Sequence, residues 1–320
     1  MIRSPEQRLT SSVTEPLNER LLSKTGNSIY NDDVRVFLGQ NIAKWFSDSE
    51  QFSSMVNPGA FVSEMGEWIR SSQLCSVLGL EDFEVGCVTL GVTQALDQFH
   101  YDILRSGRRL RMLRGEYPYN RDVHPFSFET DFIDDAPLTR GDAVILSSPF
   151  SASGDTPPRL DEILESCLHL QVPVFVDLAW FGTCGGLTFD LRHPAITHVA
   201  FSLTKGLTCG NYRSGVRWTR KKKDVLAADR LQLQQEWNHS VHLNLKIGRE
   251  LMKNFGPDTQ FKKYRSAQLK VCEHFSIEPS PCVHIATSKL ERWRDFDRDG
   301  VIQRINLRDA IKLIHRAQAE

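Results

Sequence analysis

No Cys-x-x-Cys pair occurs in the chain, and its seven cysteines (Cys75, Cys87, Cys167, Cys184, Cys209, Cys272, Cys282) are an odd number. That pattern argues against a disulfide framework and a zinc knuckle and fits a reducing cytoplasm. Net charge is missing as well. The 39 basic and 40 acidic side chains leave -1, so no field draws the protein to nucleic acid or to an anionic membrane. No stretch approaches the ~18 uninterrupted apolar residues of a spanning helix, and the opening Met1-Ile-Arg-Ser-Pro-Glu lacks the apolar core of a secretion signal. The histidines, among them His100, His124, His169, His193 and His198, fall at no metal-ligand spacing, so no metal is expected. No internal repeat is visible. These absences leave a soluble, cytoplasmic, globular protein with a small-molecule partner as the expectation.

What the sequence has is apolar material for a core, 40% of its 320 residues, arranged as strands alternating with helices. Strands are expected at Gly86–Thr89, Leu110–Leu113, Ala143–Leu146, Val172–Val176, His198–Ser202 and Gly215–Trp218. Helical spacing is carried by Thr93–Leu104 and Arg159–Leu170, with a short amphipathic stretch at Val34–Trp45. Such alternation predicts an α/β fold of three αβα layers on a mostly parallel sheet. Beyond Arg220 the sequence turns helical and charged, with a long helical segment over 224–254 and an α+β tail. The expected partition is an amino-terminal arm or part of a small domain over 1–45, a large domain over 46–223, and a small α+β domain over 224–320. Arg220-Lys-Lys-Lys223 follows a strand and reads as a solvated turn.

Three charged residues sit at strand ends, where ligands gather in an open α/β sheet. Asp177 closes the apolar run Val174-Phe-Val, where an unpaired carboxylate is costly to bury and calls for a cationic partner. Lys205 follows the next strand, and desolvation there lowers a lysine pKa enough for the amine to attack an aldehyde. Arg213 comes eight residues later. A lysine amine, an acid and an arginine are the charged groups that hold pyridoxal phosphate, through its aldehyde, its pyridinium nitrogen and its phosphate. Gly91-Val92-Thr93 opens a helix after a strand, so its amides and the Thr93 hydroxyl can cradle phosphate.

With these residues the chain resembles the fold-type I pyridoxal-phosphate enzymes of the aspartate aminotransferase class (class I/II aminotransferases) over about residues 85–220, with a weaker match near the carboxyl end. Asp177-Leu-Ala-Trp180 is similar to that family's Asp-x-Ala-Tyr, Ser202-Leu-Thr-Lys205 to its Ser-x-x-Lys, and Arg213 keeps the family spacing. The resemblance implies a Schiff base at Lys205, a pyridinium contact from Asp177, and phosphate contacts from Val92, Thr93, Ser202 and Arg213. Arg114-Gly-Glu-Tyr117-Pro-Tyr119 resembles the segment that stacks an aromatic ring on the cofactor, with Tyr119 ahead of Tyr117. Arg304 in Gln303-Arg304-Ile-Asn resembles the family arginine that grips the substrate α-carboxylate, with Arg308 as its rival.

Two departures bear on the reaction. Ser151-Ala-Ser-Gly154 stands where the family has Asn-Pro-x-Gly, so Ser151 replaces an asparagine donor, and Trp180 stands where the family has tyrosine. The resemblance implies an aminotransferase acting on an amino acid or an amino-bearing biosynthetic intermediate, with a keto acid as the other partner. The departures keep open another carbanion enzyme on the same fold (a lyase, racemase, synthase or oxidase), and a non-catalytic binding module is a third reading. A homodimer follows from the resemblance alone. Asp295-Phe-Asp297-Arg-Asp299-Gly300 begins like a calcium loop, but Asn306 occupies the position of the bidentate glutamate and no second hand is present.

Overall fold

The apolar runs become the strands of one sheet. The computed structural model describes residues 17–48, 54–122, 130–222, 226 and 242–318. In chain order its strands are β1 (Ser76–Leu78), β2 (Val85–Thr89), β3 (Arg109–Met112), β4 (Thr130–Phe132), β5 (Asp142–Ser147), β6 (Val174–Leu178), β7 (Thr188–Asp190), β8 (Ile196–Ser202), β9 (Gly215–Thr219), β10 (Glu278–Pro279), β11 (Ile285–Ser288), β12 (Asp297–Arg298) and β13 (Ile302–Asn306). Its longer helices are α1 (Asp32–Ser47), α2 (Pro58–Arg70), α3 (Val92–Ser106), α4 (Leu160–Leu170), α5 (His242–Asn254), α6 (Thr259–Phe275) and α7 (Arg308–Ala317).

The main sheet has seven strands in the order β2-β9-β8-β6-β5-β3-β4. Pairing is parallel from β8 through β4, and β9 alone runs antiparallel to its neighbours β2 and β8. Alternating side chains along each strand face opposite layers. Ala143, Ile145 and Phe175 pack against Leu96, Phe99 and Ile103 of α3. Val144, Leu146, Val174 and Val176 belong to the opposite face, which shares its core with Phe61 and Met65 of α2 and Ile163 of α4. With both faces covered, the strands need no polar alternation, and β5 and β6 are buried along their whole length. The fold is the three-layer α/β arrangement that the strand-helix alternation predicts.

A second, antiparallel sheet, β10-β11-β13-β12, packs against α6 and α7 through Tyr264, Val271, Ile305 and Ile311. Residues 17–31 join this unit. Leu22 and Ile29 enter its core, and Ser23 exchanges backbone hydrogen bonds of 2.8 and 3.1 Å with Asn306. Packing does not follow the boundaries expected from composition. Val34 and Leu38 of α1 and Leu245 and Leu251 of α5 enter the core of the main sheet, and Phe37 meets Phe255 edge to face at 5.4 Å. An amphipathic stripe announces a helix but not the core it will cover. Of the long helical segment expected over 224–254, residues 224–225 and 227–241 lie outside the described residues. Arg220 is no solvated turn residue either. It donates 2.7 Å to Ile196 O and lies 4.4 Å over the Phe83 ring.

Candidate active site

Strand register sets the first part of the site. Ser147, the last residue of β5, is the partner of Asp177 in β6, and Asp177 in turn is the partner of Ala200 in β8. The carboxyl ends of β2, β5, β6 and β8 therefore stop at one edge, beside a cavity of about 350 Å³. Asp177, Lys205, Arg213, Ser202, Val92, Thr93, Ser151, Trp180 and Arg304 all line it. Residues scattered over 212 positions in sequence (304 minus 92) meet in one place.

Lys205 lies on a one-turn helix, Leu203–Gly206, that begins directly after β8 and is capped by the Ser202 hydroxyl, which accepts from Thr204 N at 3.0 Å. Leu203 is buried and Leu207 N donates to its carbonyl at 2.9 Å. The turn is held against the Phe181–Thr183 turn by two facing glycines. A Cβ on Gly182 would sit 2.9 Å from Gly206 Cα, and one on Gly206 would sit 2.8 Å from Gly182 Cα. Both obstacles are backbone and cannot rotate away. Gly182→Ala should therefore cost about 1–3 kcal/mol by overpacking, read as a lowered denaturant midpoint at unchanged slope. An unchanged midpoint would show that the two turns separate freely.

Burial sets the charges. Asp177 is pushed up to about 7, first by desolvation, with the Ala179 amide at 2.7 Å and the Lys205 charge acting the other way and Glu116 adding to the rise. Lys205 is held below the ordinary lysine value by its own burial, then by Arg213, and Arg304 adds to the effect. An acid that ionises reluctantly and an amine that loses its proton readily thus face the same cavity.

One end of the cavity is built for an anion. Gly91 precedes α3 with φ +83°, and no side chain caps the helix, so the first amides of a 15-residue helix have no side-chain acceptor. A Cβ at Gly91 would lie 3.3 Å from Thr204 Oγ1, 3.4 Å from Ser202 Oγ and 3.8 Å from Arg213 Cδ, so two hydroxyls and a guanidinium stem converge there. Arg213 forms no ion pair among the described residues.

Another part of the wall carries Trp180, Ser151 and Arg304. The Arg304 guanidinium lies 6.0 Å from the Trp180 ring centroid, and its Nη1 and Nη2 donate 2.8 Å to Ser151 O and 2.9 Å to Lys24 O. His284 meets Trp180 edge to face at 4.9 Å, and burial, with the charges of Lys205 and Arg304, pushes its pKa down to about 3. The neutral ring acts as packing.

One sequence expectation changes. Tyr117 lines the cavity and Tyr119 does not. The Tyr119 hydroxyl donates 2.6 Å to Asp97, and its ring lies behind Tyr117 at 5.8 Å with an interplanar angle of 12°. The reason is the one-turn helix Tyr119–Asp122, which begins after Pro118 and carries Tyr119 away from the opening. Arg308 is also away from the cavity, paired with Asp309 at 2.9 Å, while Arg304 is buried in its wall. The calcium-like segment is a β12–β13 hairpin in which Asp297 accepts from Gly300 N at 2.7 Å. No cluster fit to hold a metal ion occurs among the described residues, and no described helix is long and apolar enough to cross a membrane.

Several wall residues escaped sequence reasoning. Lys24, Gly26 and Asn27 arrive on the amino-terminal strap, and Arg298 arrives on the hairpin. Gly26 is close enough to Trp180 that a Cβ there would meet Cζ2 at 3.2 Å. A Lys-Thr-Gly-Asn turn carried the only signal, and it does not say what the turn touches. Glu116, beneath the wall, accepts from Ser147 N and Tyr117 N, each at 2.8 Å, and from the Ser147 hydroxyl, and its burial raises its pKa.

No family model and no curated protein sequence matches the chain. Solved structures do. An aminotransferase from Mycobacterium tuberculosis is 14% identical with a TM-score of 0.64, covering 92% of this chain and 91% of its own. A Thermus thermophilus aspartate aminotransferase variant is 13% identical with a TM-score of 0.63, over 91% and 94%. The aromatic aminotransferase of Pyrococcus horikoshii OT3 is 12% identical with a TM-score of 0.62, over 92% and 94%. At these identities the likeness establishes the fold, that of the aminotransferases.

Proposed function

We propose that this protein is a pyridoxal-phosphate-dependent aminotransferase that exchanges the amino group of an amino acid, or of an amino-bearing intermediate, with a keto acid. The observation that carries this reading is the meeting of Lys205, Asp177 and Arg213 on one cavity beside the uncapped start of α3. The residues fit the cofactor. The glycine-floored cup at Gly91 suits phosphate, with the amides of Val92 and Thr93, the Ser202 hydroxyl and Arg213 as its donors. Asp177 is a buried acid in need of a cation, which a pyridinium nitrogen supplies. Tyr117 is the aromatic ring for stacking, and Ser151 and Trp180 provide the hydroxyl and indole donors of the opposite wall.

When bound, pyridoxal phosphate supplies an electron sink for charge developing at the substrate α-carbon. Lys205 would supply the amine that holds the cofactor's aldehyde carbon and the base that takes the substrate α-proton. Its lowered pKa suits both roles. Asp177, ionised against a protonated ring nitrogen, stabilises positive charge there. Arg304 orients the substrate through its carboxylate by a bidentate pair. A homodimer and a cytoplasmic location are part of the proposal by analogy of fold.

Reconstitution with pyridoxal phosphate, borohydride reduction and peptide mass analysis should find the cofactor on Lys205. A separate, unreduced sample of the holoprotein incubated with a panel of amino donors should accumulate pyridoxamine phosphate. Absence of the label from that peptide would sink the proposal. A second expectation concerns the stacking ring. Tyr117→Ala should weaken cofactor retention by about tenfold, the scale of an aromatic stack, whereas Tyr119→Phe should leave it near the parent value; the dissociation constants from absorbance titration decide.

A further inference from the structure

Glu116 does not line the cavity, but the residues bonded to its carboxyl group and its carbonyl do. Oε2 accepts from Ser147 N at 2.8 Å, and Oε1 accepts from Tyr117 N at 2.8 Å and is bonded to the Ser147 hydroxyl. The backbone carbonyl of Glu116 accepts from Arg298 Nη2 at 2.9 Å. The bonds continue along the wall. The Ser147 hydroxyl oxygen accepts from Ser151 N at 2.9 Å, and Ser151 O accepts from Arg304 Nη1 at 2.8 Å. From behind the wall, Glu116 thus joins the segment after β3, the end of β5 with its following turn, and the β12–β13 hairpin.

An acid in that position is costly, because the side chain is buried and burial raises its pKa. Neutral donors hold it: among the described residues no lysine or arginine forms an ion pair with the carboxyl group, and the Arg298 charge acts on it only as a weaker influence after the hydrogen bonds. What the wall requires is an acceptor at both oxygens, one for the Ser147 amide and one for the Tyr117 amide. A glutamine has the same size but must turn its NH2 toward one of those two N–H groups and leave it without an acceptor. The Tyr117 ring is the wall element with most to lose. It is exposed and packs on Tyr119 at 5.8 Å, so no core surrounds it, and its own backbone amide is anchored on Glu116.

We propose that Glu116 is a positioning residue of this site, which holds the stacking ring of Tyr117 and, through the Ser147 hydroxyl, the Ser151 turn in one frame for the cofactor. This rests on the pyridoxal-phosphate reading of the cavity, and the two can fail separately.

The test is a double-mutant cycle read in the pyridoxal-phosphate dissociation constant, measured by absorbance titration on protein shown to be folded by its denaturant melt. Glu116→Gln should weaken cofactor retention by about tenfold, the scale of one buried donor left unpaired. With Tyr117→Ala already in place the same substitution should cost at least about threefold less, because members of one network are not additive. An acid that serves only the fold would instead lower the denaturant midpoint and leave the dissociation constant of the folded protein where it was. If Glu116→Gln does not fold, Ser147→Ala takes its place in the cycle: it removes the hydroxyl that links Glu116 to Ser151, and its effect should shrink by the same factor in the Tyr117→Ala background. Unchanged cofactor retention by the folded variant, or losses in the two backgrounds that differ by less than about threefold, overturn the positioning role and leave the aminotransferase reading standing. Failure of the parent to take up the cofactor overturns both.

Discussion

Lys205→Ala should abolish turnover while leaving the protein folded and still able to take up pyridoxal phosphate without a covalent link. Loss of a general acid-base group costs roughly 10²–10⁴-fold in rate, and Lys205 also provides the anchoring amine, so the effect should reach or exceed the top of that range. Folding should not suffer. The ammonium is held below its usual pKa by burial and by the guanidinium of Arg213, so the fold gains nothing by keeping it charged. The cup at Gly91, Ser202 and Arg213 does not depend on the lysine, so the cofactor should still bind, shown by absorbance, and be washed away by dialysis after borohydride. Single-turnover measurements with an amino donor provide the check. A variant that retains more than about a hundredth of the parent rate, a fraction set by the same general acid-base range, would place the proton transfer on another residue.

The second large effect joins stability to activity at Asp177. With a folded value of about 7 against an ordinary aspartate value of 3.8, the native cofactor-free protein holds a proton at this carboxyl that the unfolded chain has already lost. Where the native state binds more protons than the unfolded state, stability falls as pH rises. The contribution is fully present below about pH 4 and disappears between about pH 4 and 7, amounting to about 4 kcal/mol at 1.36 kcal/mol per pH unit. Asp177→Asn, which cannot ionise, should escape that loss. At pH 8 and without cofactor it should be more stable than the parent, by up to about 4 kcal/mol on the same linkage, and the difference should vanish near pH 4. Denaturant melts at the two pH values provide the measurement. Activity should move in the opposite direction, because an amide cannot stabilise a protonated ring nitrogen as a carboxylate does, and a loss of about 10²-fold or more is expected. A variant that is no more stable at pH 8 would mean that Asp177 already has a full counter-charge in the empty protein.

The two predictions rest on residues of different legibility. Asp177 and Lys205 were visible because each breaks a local rule: an acid closes an apolar run, and a lysine follows the next such run within a cluster of small residues. The strands themselves were visible for a similar reason. Burial on both faces makes them continuously apolar, and the expected β5, β6, β8 and β9 differ from the observed strands by no more than two residues at either end. Tyr119 illustrates the limit. Two tyrosines separated by one proline are equivalent in sequence, and only the helical turn starting at Tyr119 directs one ring to the cavity and the other to Asp97. Arg298 was hidden by its neighbours, since an arginine among aspartates reads as solvated charge until those aspartates are seen to be bonded elsewhere.

By itself the sequence determined the layers, the strand ends and the kinds of chemical group placed there, because periodicity and burial are local properties written into consecutive residues. Only the tertiary structure decided which core α1 and α5 cover, which tyrosine meets the cavity, and that Lys24 and Arg298 join Arg304 in its wall. Those outcomes depend on contacts between separate segments, as much as 280 residues apart for Lys24 and Arg304. They are set by packing and charge in three dimensions, which no window of neighbouring residues contains.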